Sequence, residues 1–501
     1  MSVDVCLLLE GTYPFVRGGV SSWVHQIIRG LPELTFSLVF IGGSRRDYGE
    51  VKYELAPNVV HLETHYLEDS LRNTSPRRVS FEGERVENVR SFHDALGRWR
   101  GTVPDVDIDA ALDRLLLSLE QPGGVTRDHF MFGTGAWEVF REAYARGHAP
   151  APFLDFFWTL RLMHGPIFQL AKIATRVPEA RAYHTISTGY AGLLGAMLER
   201  RTRRPLILSE HGIYTKERKI DLNQADWIDA LRPRRSVGLD DLGASTRNLW
   251  IRYFEGLGKL TYRSANPIIA LYAGNRERQL ADGADPARTR IVVNGVDVAQ
   301  FESALAARPA DIPKTIGLVG RVVPIKDVKT FIRAMRVVIA AIPDAEGLII
   351  GGADEEPSYA EECVALVRSL GLESRVRFLG HQKVSDMFPK LGLLMLSSIS
   401  EAQPLAVLEA FASGVPCVTT DVGACREQIE GLTPEDRKLG LAGRVVPFAD
   451  PDALGRAAVE LLSSPARWAA CQATGLARVR SFYTQGTMLE AYRALYRQAC
   501  S

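Results

Sequence analysis

The stretch 315-TIGLVGRVVPIKDVKTFIRAMRVVI-339 begins with an apolar run, passes a glycine and continues with apolar residues at helical spacing. Ile316–Val319 reads as a parallel strand buried on both faces, since such strands show continuous apolar side chains instead of alternation. Further strand-like runs lie near Gly347–Ile350, Val376–Leu379, Leu393–Leu396 and Pro416–Thr419, with helical segments between them. Regular strand–helix alternation predicts a doubly wound parallel sheet, whose ligands bind beyond the carboxyl ends of its strands. The loops that follow strands are therefore where chemistry is expected.

The same alternation occupies the first half. Val3–Leu9, Phe36–Ile41, Val59–Leu62, Ala182–Ile186, Leu206–Leu208 and Pro267–Leu271 read as strands, and Val20–Arg29 and Ala191–Arg200 as helices. Residues from about 65 to 175 differ: charge is high, and Ala111, Leu112, Leu115, Leu116 and Leu119 recur at helical spacing. Aromatic residues crowd 153-FLDFFWTLRLMHGPIF-168, so this region reads as a helical insertion. The predicted class is α/β, with two Rossmann-like doubly wound domains. Their expected bounds are 1–302 and 303–480, with Ser303–Lys314 as a linker. Residues 481–501 hold an amphipathic helix with Tyr492, Leu495 and Tyr496 on one side.

Composition narrows the class. A chain of 501 residues exceeds one compact core, and 46% hydrophobic with 24% charged residues is ordinary for a globular protein. A net charge of +1 argues against nucleic acid as the main partner. Cys6, Cys363, Cys417, Cys425, Cys471 and Cys500 form no C-x-x-C pair and no zinc spacing, and read as reduced structural thiols of a cytoplasmic protein. The opening MSVDVCLLLEGTYP lacks a basic segment and reads as a strand, not a signal peptide. No apolar run reaches the ~20 residues that span a bilayer, so a membrane role is expected only through partners.

Two glutamates stand out in 400-SEAQPLAVLEAFASGVPCVTT-420. Glu401 falls in the loop after the strand Leu393–Leu396, and Glu409 one turn inside a helix from about Leu405 to Ser413. Pro404 is expected at the first helical position, where a missing N–H costs nothing. The N–H groups of Leu405 and Ala406 then point from a helix start, which favours an anion. A phosphate-binding helix end between two hydroxyl-accepting carboxylates suits a nucleotide-sugar, which presents a diphosphate, a ribose diol and a sugar ring.

Upstream, Arg321 and Lys326 follow the strand Ile316–Val319 and could clamp a diphosphate, arginine as a fork and lysine as a point charge. Gly18 and Gly19 in 10-EGTYPFVRGGVSSWVHQII-28 let backbone approach a ligand closely, but the pattern is not the G-x-G-x-x-G of nicotinamide dinucleotide sites. Ser187, Thr188 and Gly189 follow one strand of the first half; Glu210 and His211 follow another. A lone histidine is usually structural, yet His211 precedes Gly212 where the chain should open, which makes it a candidate for substrate contact. Gly380 and His381 close the strand Val376–Leu379, where backbone could read a pyrimidine edge. The Asp-x-Asp-x-Asp run in 105-DVDIDAALDRL-115 resembles the metal motif of some sugar transferases, but it precedes an amphipathic helix, and Asp107 or Asp109 is expected as its N-cap.

Taken together, GGV, EHGIY, NGVD, GRVVPIKD and the E-x7-E pair resemble retaining glycosyltransferases of family 4. More narrowly, LLLEGTYPFVRGGVSSWVHQII, the helical insertion and SEHGIYTKER resemble those of Pel-type exopolysaccharide synthesis. The resemblance implies a GT-B fold, two Rossmann-like domains facing a cleft, with the C-terminal helix crossing back to the first. It implies that Arg321 and Lys326 hold a donor diphosphate in place of a metal, with no cofactor. Glu401 would bind sugar hydroxyls, the backbone at Pro404 and Leu405 would support sugar and phosphate, and Glu409 would take the ribose. His211 would lie near the reacting sugar and Gly19 near the diphosphate. The implied donor is a UDP-sugar, UDP-glucose favoured, and the implied partners are a saccharide acceptor and an inner-membrane synthase complex. Gln403 departs from the family pattern, which usually has an aromatic residue there. The competing readings are a GT-B nucleotide-sugar epimerase and a non-catalytic UDP-sugar-binding component of a synthase.

Overall fold

β1 (Val3–Glu10) and β2 (Phe36–Gly42) are buried along nearly their whole length, as expected of strands covered on both faces. The structure is a computed structural model that describes residues 3–68, 86–88, 90–91, 106–120, 127–145, 152–224 and 240–501. The chain divides into two compact units, Met1–Ala270 with Arg276–Arg290 and Arg493–Ser501, and Leu271–Asn275 with Ile291–Tyr492.

In the first unit β1 and β2 join β3 (Val59–Tyr66), β4 (Ala180–Thr185), β5 (Leu206–Glu210), β6 (Ala265–Ala270) and β7 (Thr289–Ile291). The order is β3-β2-β1-β4-β5-β6-β7, with β1 parallel to both β2 and β4. The expected helical insertion is present in the helices Val106–Glu120, Arg127–Phe132, Thr134–Ala145 and Phe153–Ala174. Leu112, Leu115, Phe130, Phe156 and Leu160 bury in the same core as Leu8 and Val39 of the sheet, so the insertion extends that core. The side chain of Leu119 and the remaining stretches between residues 69 and 151 lie outside the described residues. At the chain's end Tyr496 is fully buried, its hydroxyl 2.7 Å from Nδ1 of His184. Arg493 donates to Glu33 at 2.6 Å.

The second unit's sheet comprises β8 (Thr315–Val319), β9 (Glu346–Ile350), β10 (Val376–Gly380), β11 (Leu393–Leu396), β12 (Cys417–Thr420) and β13 (Gly443–Val446). Its order is β10-β9-β8-β11-β12-β13, parallel throughout. In each sheet the strand order thus reverses beside the first strand, between β1 and β4 and between β8 and β11, where a crevice opens at the carboxyl ends.

Three expectations are corrected. The division falls at Ile291, because Asn294 and Val296 hydrogen-bond to Gln403 and Tyr483 of the second unit. The segment expected as a linker holds the helix Glu302–Ala306, with Ala304 buried, and Arg308 donates to the carbonyls of Phe388 and Leu391. Asp109 is not an N-cap: the helix begins at Val106, and its carboxylate pairs with Arg200 and Arg263. Asp107 is likewise inside that helix, its side chain outside the described residues; Asp105 lies outside them altogether.

Candidate functional site

In the second unit the loops leaving β8 and β11 are tied to each other. Ile399 N–H donates to the Ile325 carbonyl at 3.0 Å, and Ser397 Oγ to the Lys326 carbonyl at 2.9 Å. This register brings Lys326 Nζ to 2.5 Å from Glu401 Oε1, with Ser398 Oγ on the same oxygen at 2.6 Å. The two side chains are only 20% and 12% exposed, so their attraction is weakly screened. The pair sits at the crossover between β8 and β11, a ligand position of this fold.

The Glu401 loop is shaped by distant residues. Gly423 has φ +54°, and a Cβ there would lie 2.3 Å from the carbonyl oxygens of both Glu401 and Ala402. Ala424 N–H donates to the Ala402 carbonyl at 2.7 Å. Gln403 is buried and its Oε1 accepts from Asn294 N–H at 2.7 Å. The glutamine that replaces an aromatic residue thus anchors the NGVD segment to this loop.

The helix Leu405–Ala412 follows. Pro404 is its N-cap, with ψ 114°, one residue before the expected position, because its extended conformation turns the chain out of the loop. No side chain caps this helix start. Leu405 and Glu409 share a face by their four-residue spacing, and Glu409 is half-buried. Among the described residues no hydrogen bond or ion pair engages its carboxylate, and desolvation pushes its pKa up to about 7. A shielded carboxylate without a partner has accepting capacity for a ligand.

Arg321 is elsewhere. Its guanidinium is 58% exposed and Nη1 donates to Glu355 Oε1 at 2.6 Å. Gly380 (φ +64°) and His381 end β10, the edge strand two places from β8. The His381 imidazole is 80% exposed, lies over Gly352 and is 3.8 Å from Asp354. Lys326 and Glu401 are brought together; Arg321, in the same loop after β8, turns to Glu355, and Gly380 and His381 lie at the end of β10, two strands away.

In the first unit His211 follows β5, buried edge-on against Trp23 with ring centroids 4.6 Å apart. Desolvation lowers its pKa to about 4, so it is neutral at physiological pH. It helps to line a cavity of about 980 Å³ at the carboxyl ends of the strands, beside Glu10, Ser187, Tyr214, Arg218 and Trp250. Glu10, at the end of β1, was not singled out in the sequence. Its Oε2 accepts from Ser187 Oγ and Ala191 N–H, both at 3.0 Å, and its Oε1 from Tyr214 hydroxyl at 2.8 Å. Its position as the first polar residue after an apolar strand was the available signal. Glu210 is the last residue of β5, fully buried, accepting from Tyr262 at 2.7 Å and Gln279 at 3.1 Å; burial raises its pKa to about 7. That is a structural latch. Gly18 caps the helix Gly19–Gly30 with extended backbone, and both glycines face open space. Among the described residues no group of three or more His, Cys, Asp or Glu side chains could hold a metal ion, and no helix is long and apolar enough to cross a membrane.

Comparison with known proteins bears on the fold and the family. Residues 3–287 match the family described as Domain of unknown function (DUF3492), and residues 313–464 match Glycosyl transferases group 1. A lipopolysaccharide core biosynthesis mannosyltransferase of Rhizobium meliloti is 30% identical over 218 residues, 41% of this chain and 60% of that protein. The chain thus spans about three fifths of that relative. Among solved structures, Anabaena HepE in complex with UDP and glucose superposes with a TM-score of 0.60 at 15% identity, over 99% of both chains. Sucrose-phosphate synthase from Thermosynechococcus elongatus gives 0.56 at 19% identity, over 99% of this chain and 98% of that one. These likenesses establish the fold, GT-B, with two Rossmann-like parallel-sheet units. By its longest match the chain belongs to the family of the Domain of unknown function (DUF3492), joined to a domain of the Glycosyl transferases group 1.

Proposed function

We propose that the protein is a retaining glycosyltransferase that moves a sugar from a UDP-sugar, with UDP-glucose favoured, to a saccharide acceptor in Pel-type exopolysaccharide synthesis. The observation that carries the reading is the set at the β8–β11 crossover: Lys326 against Glu401, and the unengaged carboxylate of Glu409 one helical turn on. Lys326, with Arg321 swinging from Glu355, would meet the diphosphate and stabilise the charge that grows on it as the sugar leaves, without a metal. Glu401 would pass from Lys326 to the sugar hydroxyls, and Glu409 would accept from the ribose diol. His211, neutral and walled by Trp23, would present an uncharged imidazole to the reacting sugar. The cavity beside Glu10, walled by Tyr214 and Trp250, would take the acceptor, aromatic faces suiting a sugar ring. The HepE complexes with UDP and with UDP-glucose support this choice of donor by fold analogy. We place the protein in the cytoplasm, working with an inner-membrane synthase complex.

The test is binding and hydrolysis of UDP-, GDP- and ADP-sugars by the purified chain. Tight binding of UDP-sugars with release of UDP is expected. Binding without turnover, with or without saccharide acceptors, would leave only a carrier of the nucleotide-sugar. Binding of none would overturn the reading.

A further inference from the structure

The first unit has a second cavity, of about 500 Å³, at the opposite end of its sheet. It lies where Leu206 enters β5 and Asn266 and Pro267 enter β6, the amino ends of the strands. Six arginines line it against one aspartate and one glutamate, in a chain whose net charge is only +1.

Some of that charge is already engaged. Arg200 donates to Asp113 at 3.0 Å and to Ser264 at 2.7 Å, and pairs with Asp109. Arg263 shares Asp109 at 2.7 Å, while Arg288 donates to the Arg263 carbonyl at 2.8 Å and meets Asp285 at 3.6 Å. These bonds fix the wall. Arg203, Arg204 and Arg290 are exposed, and among the described residues none of them forms an ion pair. Burial raises the pKa of Glu199, the cavity's glutamate, so its neutralising charge is given up more readily.

The backbone adds a second observation. Arg203 ends the helix Tyr190–Thr202 with φ +57°, a left-handed site where glycine is preferred. A guanidinium is kept there at a conformational cost, beside Arg204 and facing a concave wall. Planar guanidinium forks bind phosphate oxygens in pairs, and a cavity of this size accommodates a small molecule.

We propose that this cavity binds a polyanion with at least two phosphate groups, gripped by Arg203, Arg204 and Arg290. Such a group is carried by a soluble polyphosphorylated compound or by a phospholipid headgroup that bears two phosphates, and the site is separate from the crossover at Lys326 and Glu401.

The full chain would be titrated calorimetrically with inositol hexakisphosphate, and sedimented with phosphatidylcholine vesicles with and without cardiolipin, whose headgroup carries two phosphates. Saturable binding to at least one probe is expected; the hexakisphosphate arm reports a soluble ligand and the cardiolipin arm a lipid one. R203E/R290E should weaken it by roughly tenfold or more, because hydrogen bonds between charged groups are strong. R203Q/R290Q should fall between. Both pairs change exposed side chains, and an unchanged melting temperature checks their fold. Lys326→Ala should leave this binding untouched. No binding to either probe, binding that survives R203E/R290E, or binding lost in Lys326→Ala would each overturn the proposal.

Discussion

Lys326 Nζ and Glu401 Oε1 meet at 2.5 Å across the crossover of the second sheet. Each neutralises the other, so on the proposed reading an arriving diphosphate and sugar ring would divide the pair.

Removing the cation should therefore be costly. Lys326→Ala is expected to lower turnover roughly 10²–10³-fold, the ~2.7–4 kcal/mol typical of a lost donor to developing negative charge. Arg321→Ala should cost less, since that side chain is 58% exposed and already held by Glu355. Glu355→Gln should release it and tighten UDP-sugar binding. Steady-state kinetics on folded variants checks this; wild-type turnover in Lys326→Ala would remove the clamp.

Glu401→Gln separates sugar from nucleotide. With Lys326 freed, affinity for UDP should stay the same or rise, while sugar transfer falls. Titration calorimetry with UDP and with a non-transferable UDP-sugar distinguishes the two, and weakened UDP binding would contradict the assignment.

Glu409 should impose a pH dependence of defined sign. Its carboxyl is raised to about 7, so it is protonated below that pH and accepts the ribose diol best above it. Affinity for UDP-glucose should rise between about pH 6 and 8. In Glu409→Gln it should be flat and roughly tenfold weaker, the loss of hydrogen bonds to a charged acceptor. Stability runs the other way. A raised folded-state pKa stabilises below the ordinary value of 4.5, and that contribution is lost as pH rises through about 7. Ligand-free Glu409→Gln should thus melt above the wild type at pH 8, by roughly 2–4 °C per kcal/mol, with no advantage at pH 4. A flat wild-type affinity profile would end the ribose assignment.

Transfer should survive EDTA, because two basic side chains are available to the diphosphate. Activity abolished by EDTA and restored by magnesium or manganese would reverse that expectation.

Much of this could be read from the chain. Uninterrupted apolar runs such as Leu393–Leu396 mark strands, and the ends of those strands point to Lys326 and Glu401, which the fold brings into contact. β13 was missed because its four residues, GRVV, carry too short an apolar run. Glu10 escaped notice because its partners Ser187, Ala191 and Tyr214 are more than 170 positions away. The ties of Gln403 to Asn294, and of Gly423 to Glu401 and Ala402, are equally remote. Local pattern locates loops; only folding reveals which distant residues hold them in shape.

Gly423 bears on how such a protein can diversify. Any side chain at that position would have to displace two carbonyl oxygens that lie 2.3 Å from its Cβ. On the proposed reading, residues around Glu401 would exchange side chains and so alter which sugar is accepted, provided the peptide groups beneath them stay in place. Selection on donor preference would then leave position 423 unchanged. The most heavily constrained residue of the loop would be one that never touches the sugar.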